Sequence, residues 1–335
     1  MPQHAVETNI DQLISGLKTA VGTLKESLDT AQLKNSVPFP LSMNTRQEIV
    51  SVLMHEVERR YGIAPGGQVE RKLVRIFETM NFSYLEQWSQ ALLSPNAIET
   101  EWLSLVECLT VHETYFDRDK EQLGILHSSI LPRLIEQKHQ SGDYRLRIWS
   151  AGCSSGEETY NLAMLVLMAM KNAGFALEQR DGSIMLIPSW SISVMGSDIS
   201  SQMIRIAKSA TYTTGEMGSF RNMNPLLWSF FDELPDQDAG AFKAKSMRVK
   251  NCVSLITGFC RHNLLEPLKE VPPFDLILCR NVLIYFDGCK KVVLERLNNS
   301  LASGGVLMLG ATDVMPARHD LKRCQHNGVF WHEKN

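Results

Sequence analysis

The chain has 335 residues, enough for two or three domains and a sizeable buried core. Lys and Arg number 34 against 37 Asp and Glu, a formal net charge of -3, which argues against a protein that coats a nucleic-acid backbone. Apolar residues at 44% and charged residues at 21% exclude a disordered chain, and seven cysteines without a C-x-x-C pair argue against a disulfide framework or a zinc ribbon.

Residues 1–40 carry Ile10, Leu13, Ile14, Leu17, Val21, Leu24 and Leu28 at helical spacing. The stripe ends at Val37-Pro38-Phe39-Pro40, which cannot continue a helix. Docking on a partner, self-association over about three heptads, packing on its own domain and a frayed tail all remain open for this segment. Glu7 and Asp11, with no apolar run beside them, do not read as a signal peptide.

Residues 41–127 are expected to form a helical domain. Ile49 to Tyr61 space a first helix that stops at Gly62, and Val69 to Met80 space a second. Phe82 to Leu93 give a third, stopped by Ser94-Pro95, and Ile98 to Leu109 a fourth.

From about residue 128 to 335 the pattern changes to strands alternating with helices. Strands are expected over Arg147–Ala151, Ser191–Met195, Phe274–Cys279 and Gly305–Leu309. Helices are expected over Glu157–Met170, Ser201–Ala207 and Lys290–Leu301. Such alternation predicts an α/β fold with a Rossmann-like, doubly wound parallel sheet. Within it, residues of about 232–257 read as a small inserted antiparallel β-subdomain, with Lys243, Lys245, Arg248 and Lys250 among apolar residues. Those lysines serve equally to guard a sheet edge or to dock an acidic partner. The longest clearly apolar stretch, Leu162 to Met170, is too short to span a bilayer. A cytoplasmic protein is expected, with no membrane insertion, no nucleic-acid partner and no metal site.

Four segments carry chemistry. In Trp149-Ser150-Ala151-Gly152-Cys153-Ser154-Ser155-Gly156-Glu157-Glu158 a strand enters a glycine turn and a helix begins. Glycines admit close backbone approach, and the helix start offers free N–H groups. No Gly-Lys-Ser/Thr follows, so it is not a P-loop. Glu157 and Glu158 suit a cationic ligand such as an amino group or a sulfonium, and equally suit the helix dipole. In the second segment, Met195-Gly196-Ser197-Asp198, an acidic residue ends the next strand, where it reaches ribose hydroxyls or caps a helix. The third is Phe274 to Phe286, in which Asn281 stands at a strand's carboxyl end and Tyr285 faces either the cleft or the core. In the fourth, Thr110 to Asp119, Arg118 is able to hold a carboxylate through two parallel bonds, or to pair with its neighbours Asp117 and Asp119.

Together, and in this order, these segments resemble the CheR family of chemotaxis-receptor protein-glutamate O-methyltransferases. The resemblance runs from about Leu41 to the C-terminus. It is most specific in Ser150 to Glu158 and in Cys279-Arg280-Asn281-Val282-Leu283-Ile284-Tyr285-Phe286-Asp287. It implies S-adenosylmethionine as cofactor and the cytoplasmic helices of methyl-accepting receptors as partners. It further implies cofactor contacts from His112, Thr114, Arg118, Gly152, Glu157, Asp198, Asn263, Leu264, Asn281 and Val282. Arg118 and Tyr285 match the residues that serve the methyl-transfer centre. His112 replaces the family's usual Asn, and Asp117 a second Phe, which places a charge where it can pair Arg118 away from substrate. Thr159 replaces a common Pro, and Gly310-Ala311-Thr312-Asp313 a Gly-His/Ser-Ser-Glu ending. A same-fold methyltransferase with another substrate, and a weakly active cofactor-binding interaction protein, are the alternative readings.

Overall fold

The computed structural model describes residues 45–110, 112–215, 218–235, 245–313, 315–316 and 318–335. The apolar stripe of residues 1–40 and the 236–244 part of the expected β-subdomain lie outside them. The chain divides into two compact units between Val111 and His112.

The first unit contains α1 (Arg46–Tyr61), α2 (Gly67–Glu78), α3 (Phe82–Leu93) and α4 (Glu99–Leu109). Local signals set their ends. Thr45 and Glu48 form a reciprocal capping box at the start of α1, and Gly62, at φ 71, ends it in the left-handed region. Asn81 caps α3 through its side chain. Ile49, Leu53, Val57, Leu73, Leu85 and Trp102 are fully buried at the centre of this unit.

The second unit begins with α5 (Lys120–Ile125), which runs through one π-helical stretch, Leu126–Ile130, into α6 (Leu131–Ser141). There follow β1 (Arg145–Ala151), α7 (Glu157–Asn172), β2 (Ala176–Glu178), β3 (Ile184–Leu186), β4 (Ser191–Asp198), α8 (Ser201–Ser209) and β5 (Thr211–Thr213). Then come β6 (Phe231–Glu233), β7 (Ser246–Val249), α9 (Asn251–Ser254), β8 (Thr257–Arg261) and β9 (Phe274–Cys279). The chain ends with α10 (Lys290–Asn299), β10 (Leu301–Leu309), β11 (Leu321–His326) and β12 (Val329–Lys334).

Among the described residues, the main sheet has seven strands in the order β11-β12-β10-β9-β1-β4-β8. The strands from β10 to β8 are parallel, and β12 and β11 close the edge antiparallel. β9 is buried at every position, as a central parallel strand covered on both faces must be. One face packs Ile148, Leu162, Val166 and Leu276 together, and the other packs Trp149, Ile277, Val293 and Leu297. This is the expected doubly wound architecture, with strand order reversing on either side of β1. Among the described residues no helix is long and apolar enough to cross a membrane.

Three features differ from the sequence expectations. The division after Val111 puts residues 112–127 with the sheet unit, not with the helices. Packing explains this: Phe116 is fully buried against Tyr212, Phe220 and Phe231, and its N–H donates to the Ser219 carbonyl at 2.8 Å. The small antiparallel sheet starts earlier than residue 232, because its order is β5-β7-β6, and Thr257 already belongs to the main sheet. The hairpins β2–β3 and β11–β12 were not expected. Each carries a turn signal, Asp181-Gly182 and Asn327-Gly328, the latter pair with φ 47 and 79.

Candidate functional site

The carboxyl ends of β1, β4, β8 and β9 meet at one edge of the parallel sheet, and the segments singled out from the sequence hang from them. The β1 turn is built on the left-handed region: Gly152, Ser154 and Gly156 have φ 84, 48 and 97. It is tied to β4 because the N–H groups of Gly152 and Cys153 both donate to the Ser197 carbonyl at 2.8 Å. Asp198 completes the junction. Its Oδ2 accepts from the Ser154 N–H at 2.8 Å and its Oδ1 from the Ser200 N–H at 2.9 Å. Burial pushes this carboxyl above its ordinary range, opposed by those N–H groups and by the charge of nearby His112.

His112 enters the same junction by its backbone, its carbonyl accepting from the Ser154 hydroxyl at 3.2 Å. Asn263 and Leu264 follow β8, whose Arg261 pairs in register with Asp198, and the His262 N–H donates to the Asp198 carbonyl at 3.0 Å. Asn263 folds back to accept from the Leu265 N–H, and Leu264 is buried. Asn281 follows β9 in the left-handed region at φ 59. Tyr285 sits one 3-10 turn later, half-buried against the core that contains Trp149 and Leu283.

Two expected contacts are occupied by the protein itself. A Cβ on Gly152 would lie 2.3 Å from Val282 Cγ2, so the bare backbone there receives Val282 rather than opening to a ligand. Glu157 is 2% exposed, and its two oxygens accept from the Ser155 and Ser219 hydroxyls at 2.7 Å each. Burial raises its carboxyl, and the two hydroxyls oppose the shift. Glu157 thus shapes the start of α7 and anchors the loop bearing Ser219.

Thr114 and Arg118 lie on the strap 112–119, which stays beside the sheet edge. Arg118 Nη1 donates to the Glu113 carbonyl at 2.6 Å, and its guanidinium sits 5.9 Å from the Tyr115 ring centre. Among the described residues no carboxylate lies within ion-pair distance of Arg118. The charge at Asp117 does not pair it away: Asp117 turns back and accepts from the Asn224 N–H at 2.8 Å.

Three residues outside the expected contact set also shape the site. Arg221 pairs with Glu113 at 2.5 Å and stacks 4.0 Å from the Tyr115 ring centre, so it clamps the strap from the loop between β5 and β6. Glu158 and Arg280 form a buried ion pair at 3.2 Å. Glu158 and Arg280 were visible as the second Glu of the glycine turn and the residue before Asn281. Arg221 had no local signal, because only the fold brings it to Tyr115.

The arrangement fits an adenosyl cofactor on its own terms. A buried carboxylate stands at the second strand end, and a turn in the left-handed region at the first. Asn263 and Leu264 border one side, and an arginine strap the other.

The CheR methyltransferase SAM-binding domain matches residues 112–329. Chemotaxis protein methyltransferase 1 of Vibrio cholerae is 32% identical over 232 residues, covering 68% of this chain and 75% of that protein. Chemotaxis protein methyltransferase 1 of Pseudomonas aeruginosa is 29% identical over 283 residues, covering 82% and 94% respectively. The chemotaxis protein methyltransferase of Borreliella burgdorferi is 24% identical over 294 residues, covering 86% and 95%. The domain matched begins at the first residue of the sheet unit and takes in every candidate residue from His112 to Tyr285, so this chain belongs to the CheR methyltransferase family.

Proposed function

We propose that this chain transfers a methyl group from S-adenosylmethionine to glutamate side chains of chemotaxis receptors, forming methyl esters. The observation that carries the reading is Arg118, held at the sheet edge with no carboxylate of the described residues paired to it. Relatives named chemotaxis protein methyltransferases support the receptor as substrate. The partners are then the cytoplasmic helices of methyl-accepting receptors, and the protein works in the cytoplasm.

Bound S-adenosylmethionine supplies an electrophilic methyl group on a sulfonium. The residues that would hold it are Asp198 at the ribose, Asn263 and Leu264 at the base, and Asn281, Thr114 and His112 along the rest. Gly152, Val282 and Glu157 serve by keeping the β1 turn and the start of α7 in place. A glutamate substrate is already ionised at neutral pH, so no strong general base is required. The chain's task is alignment and partial desolvation. Arg118 orients the carboxylate through its fork, and Tyr285 borders the transfer path. The carboxylate loses its charge as the ester forms, so Arg118 must orient it without binding it too tightly.

The test is tritiated-methyl transfer from S-adenosylmethionine to receptor-rich membranes, read as base-labile methyl release. Arg118→Ala is expected to lower transfer at least tenfold, about 1.4 kcal/mol in the barrier, while cofactor affinity stays within about twofold. Equal losses in both would remove Arg118 from the substrate side of the site.

A further inference from the structure

We infer that Arg280 is a positioning residue for Arg118, acting through a chain of ion pairs that ends in Glu158. The inference rests on the reading of Arg118 as the group that orients the substrate carboxylate.

The strap around Arg118 has an unusual backbone. Asp117 and Asp119, on either side of it, have φ 62 and 58, in the left-handed region that L residues seldom occupy. Two such residues flanking one another's neighbour do not hold their shape without support. Arg280 supplies that support from the end of β9. Its Nη2 donates to the Arg118 carbonyl at 2.8 Å and lies 3.4 Å from Asp119 Oδ2. Its Nε lies 3.2 Å from Glu158 Oε2, and Glu158 Oε1 accepts from the Ser150 hydroxyl at 2.6 Å. One guanidinium therefore joins the strap, the start of α7 and, through Ser150, the end of β1.

Arg280's side chain is only 2% exposed, and neither its Nε nor its Nη1 makes a hydrogen bond, so its link to Glu158 is an ion pair alone. Removing a guanidinium from water is unfavourable, and a buried ion pair is poor evidence of net stabilisation. What the arrangement gives is geometry. A planar guanidinium reaches a carbonyl and two carboxylates through two separate nitrogens, Nη2 and Nε, which a lysine's single ammonium cannot do. Arg118's own guanidinium is placed by this backbone, and small displacements of a positioning group are costly to alignment.

Four proteins decide the matter: Arg280→Lys, Arg118→Ala, the double variant, and Glu158→Gln, which keeps the shape and an acceptor for Ser150. Each is assayed for methyl transfer to receptor-rich membranes, for S-adenosylhomocysteine binding, and for hydrogen exchange of peptide 112–119. Arg280→Lys is expected to lower kcat about tenfold while cofactor affinity changes by less than about twofold. In the Arg118→Ala background the same change should have no further effect on kcat, because both act on one step. Exchange should rise in 112–119 and stay unchanged in β1 and β9. Glu158→Gln should repeat the pattern more weakly, and it carries the same test if Arg280→Lys does not fold. Additive losses in kcat, or faster exchange throughout β1 and β9, would make Arg280 a merely structural residue and overturn the inference. If Arg118→Ala leaves transfer unaltered, or the wild type methylates no receptor, the reading of the function fails instead. The exchange pattern then still decides whether Arg280 holds the strap.

Discussion

The carboxylate of Asp117 accepts from the backbone N–H of Asn224 at 2.8 Å, so it points away from the arginine that follows it in sequence. The Asp117 N–H in turn donates to Asn161 Oδ1 at 2.8 Å. Asp117 thus joins the strap to α7 and to the loop before β6. The consequence is a structural role where the sequence allowed an inhibitory one. Asp117→Ala strands the Asn224 N–H and places alanine at φ 62. Loss of about 1–3 kcal/mol of stability is expected. Asp117→Asn, which keeps an acceptor and tolerates the left-handed region, should lose less. Thermal and denaturant melts check this, and a rise in methyl transfer with either variant would restore the inhibitory reading.

That example marks the limit of what the sequence could tell. Helix ends were legible wherever one residue type fixes them, as at Gly62 and Ser94, and β9 was legible because a central parallel strand is apolar throughout. The direction of a side chain in a loop was not legible. Asp117 next to Arg118 reads as an ion pair in one dimension, and only the packing of Phe116 against Tyr212 and Phe220 turns the strap so that Asp117 faces Asn224. Glycines misled in the same way. Gly152 reads as an opening for a ligand, yet its missing side chain is filled by Val282, 130 positions on. The turn pairs Asp181-Gly182 and Asn327-Gly328 mark both hairpins in the sequence, but flanking strands of three to six residues carry too little alternation to stand out beside the βα pattern.

Asp198 gives the site a predicted pH response. Burial raises its carboxyl, so the group takes up a proton at a higher pH than an exposed aspartate would. The acceptor capacity of the carboxylate is present above that raised pKa and is lost as pH falls through it. S-adenosylhomocysteine affinity should therefore weaken on acidification from neutrality, earlier than an ordinary carboxylate titrates. Asp198→Asn should weaken binding by roughly 1–3 kcal/mol at neutral pH and flatten the acid limb. Calorimetry across the pH range checks both parts. A wild-type affinity independent of pH, matched by the Asn variant, would detach Asp198 from the ribose.

Glu157 should report in stability before it reports in binding. Its oxygens are taken by Ser155 and Ser219, and the Ser219 carbonyl holds the Phe116 N–H. Glu157→Ala leaves two hydroxyls short of an acceptor and is expected to lower stability by about 1–3 kcal/mol. Hydrogen exchange should rise at Phe116 as the Ser219 loop loosens. Normal melting with weakened cofactor binding would return Glu157 to direct ligand contact.

Gly152 and Val282 should behave as one unit. Gly152→Ala faces two separate obstacles: φ of 84, and a new Cβ only 2.3 Å from Val282 Cγ2. The turn it disturbs also carries the Ser154 N–H that Asp198 accepts, so cofactor affinity should fall together with stability. Overpacking of this kind amounts to about 1–3 kcal/mol, and the left-handed backbone adds about 1–2 kcal/mol for a residue with a Cβ. Val282→Ala in the same chain removes the overlap and leaves the backbone penalty. The double variant should therefore recover part, not all, of the stability and affinity lost by Gly152→Ala. Val282→Ala alone should be only mildly destabilising, because Val282 is half-buried. Melting temperatures and calorimetric affinities of the three variants form a double-mutant cycle whose coupling term measures the contact. A coupling term of zero would mean that Val282 yields freely, and that Gly152 is required for its backbone conformation alone.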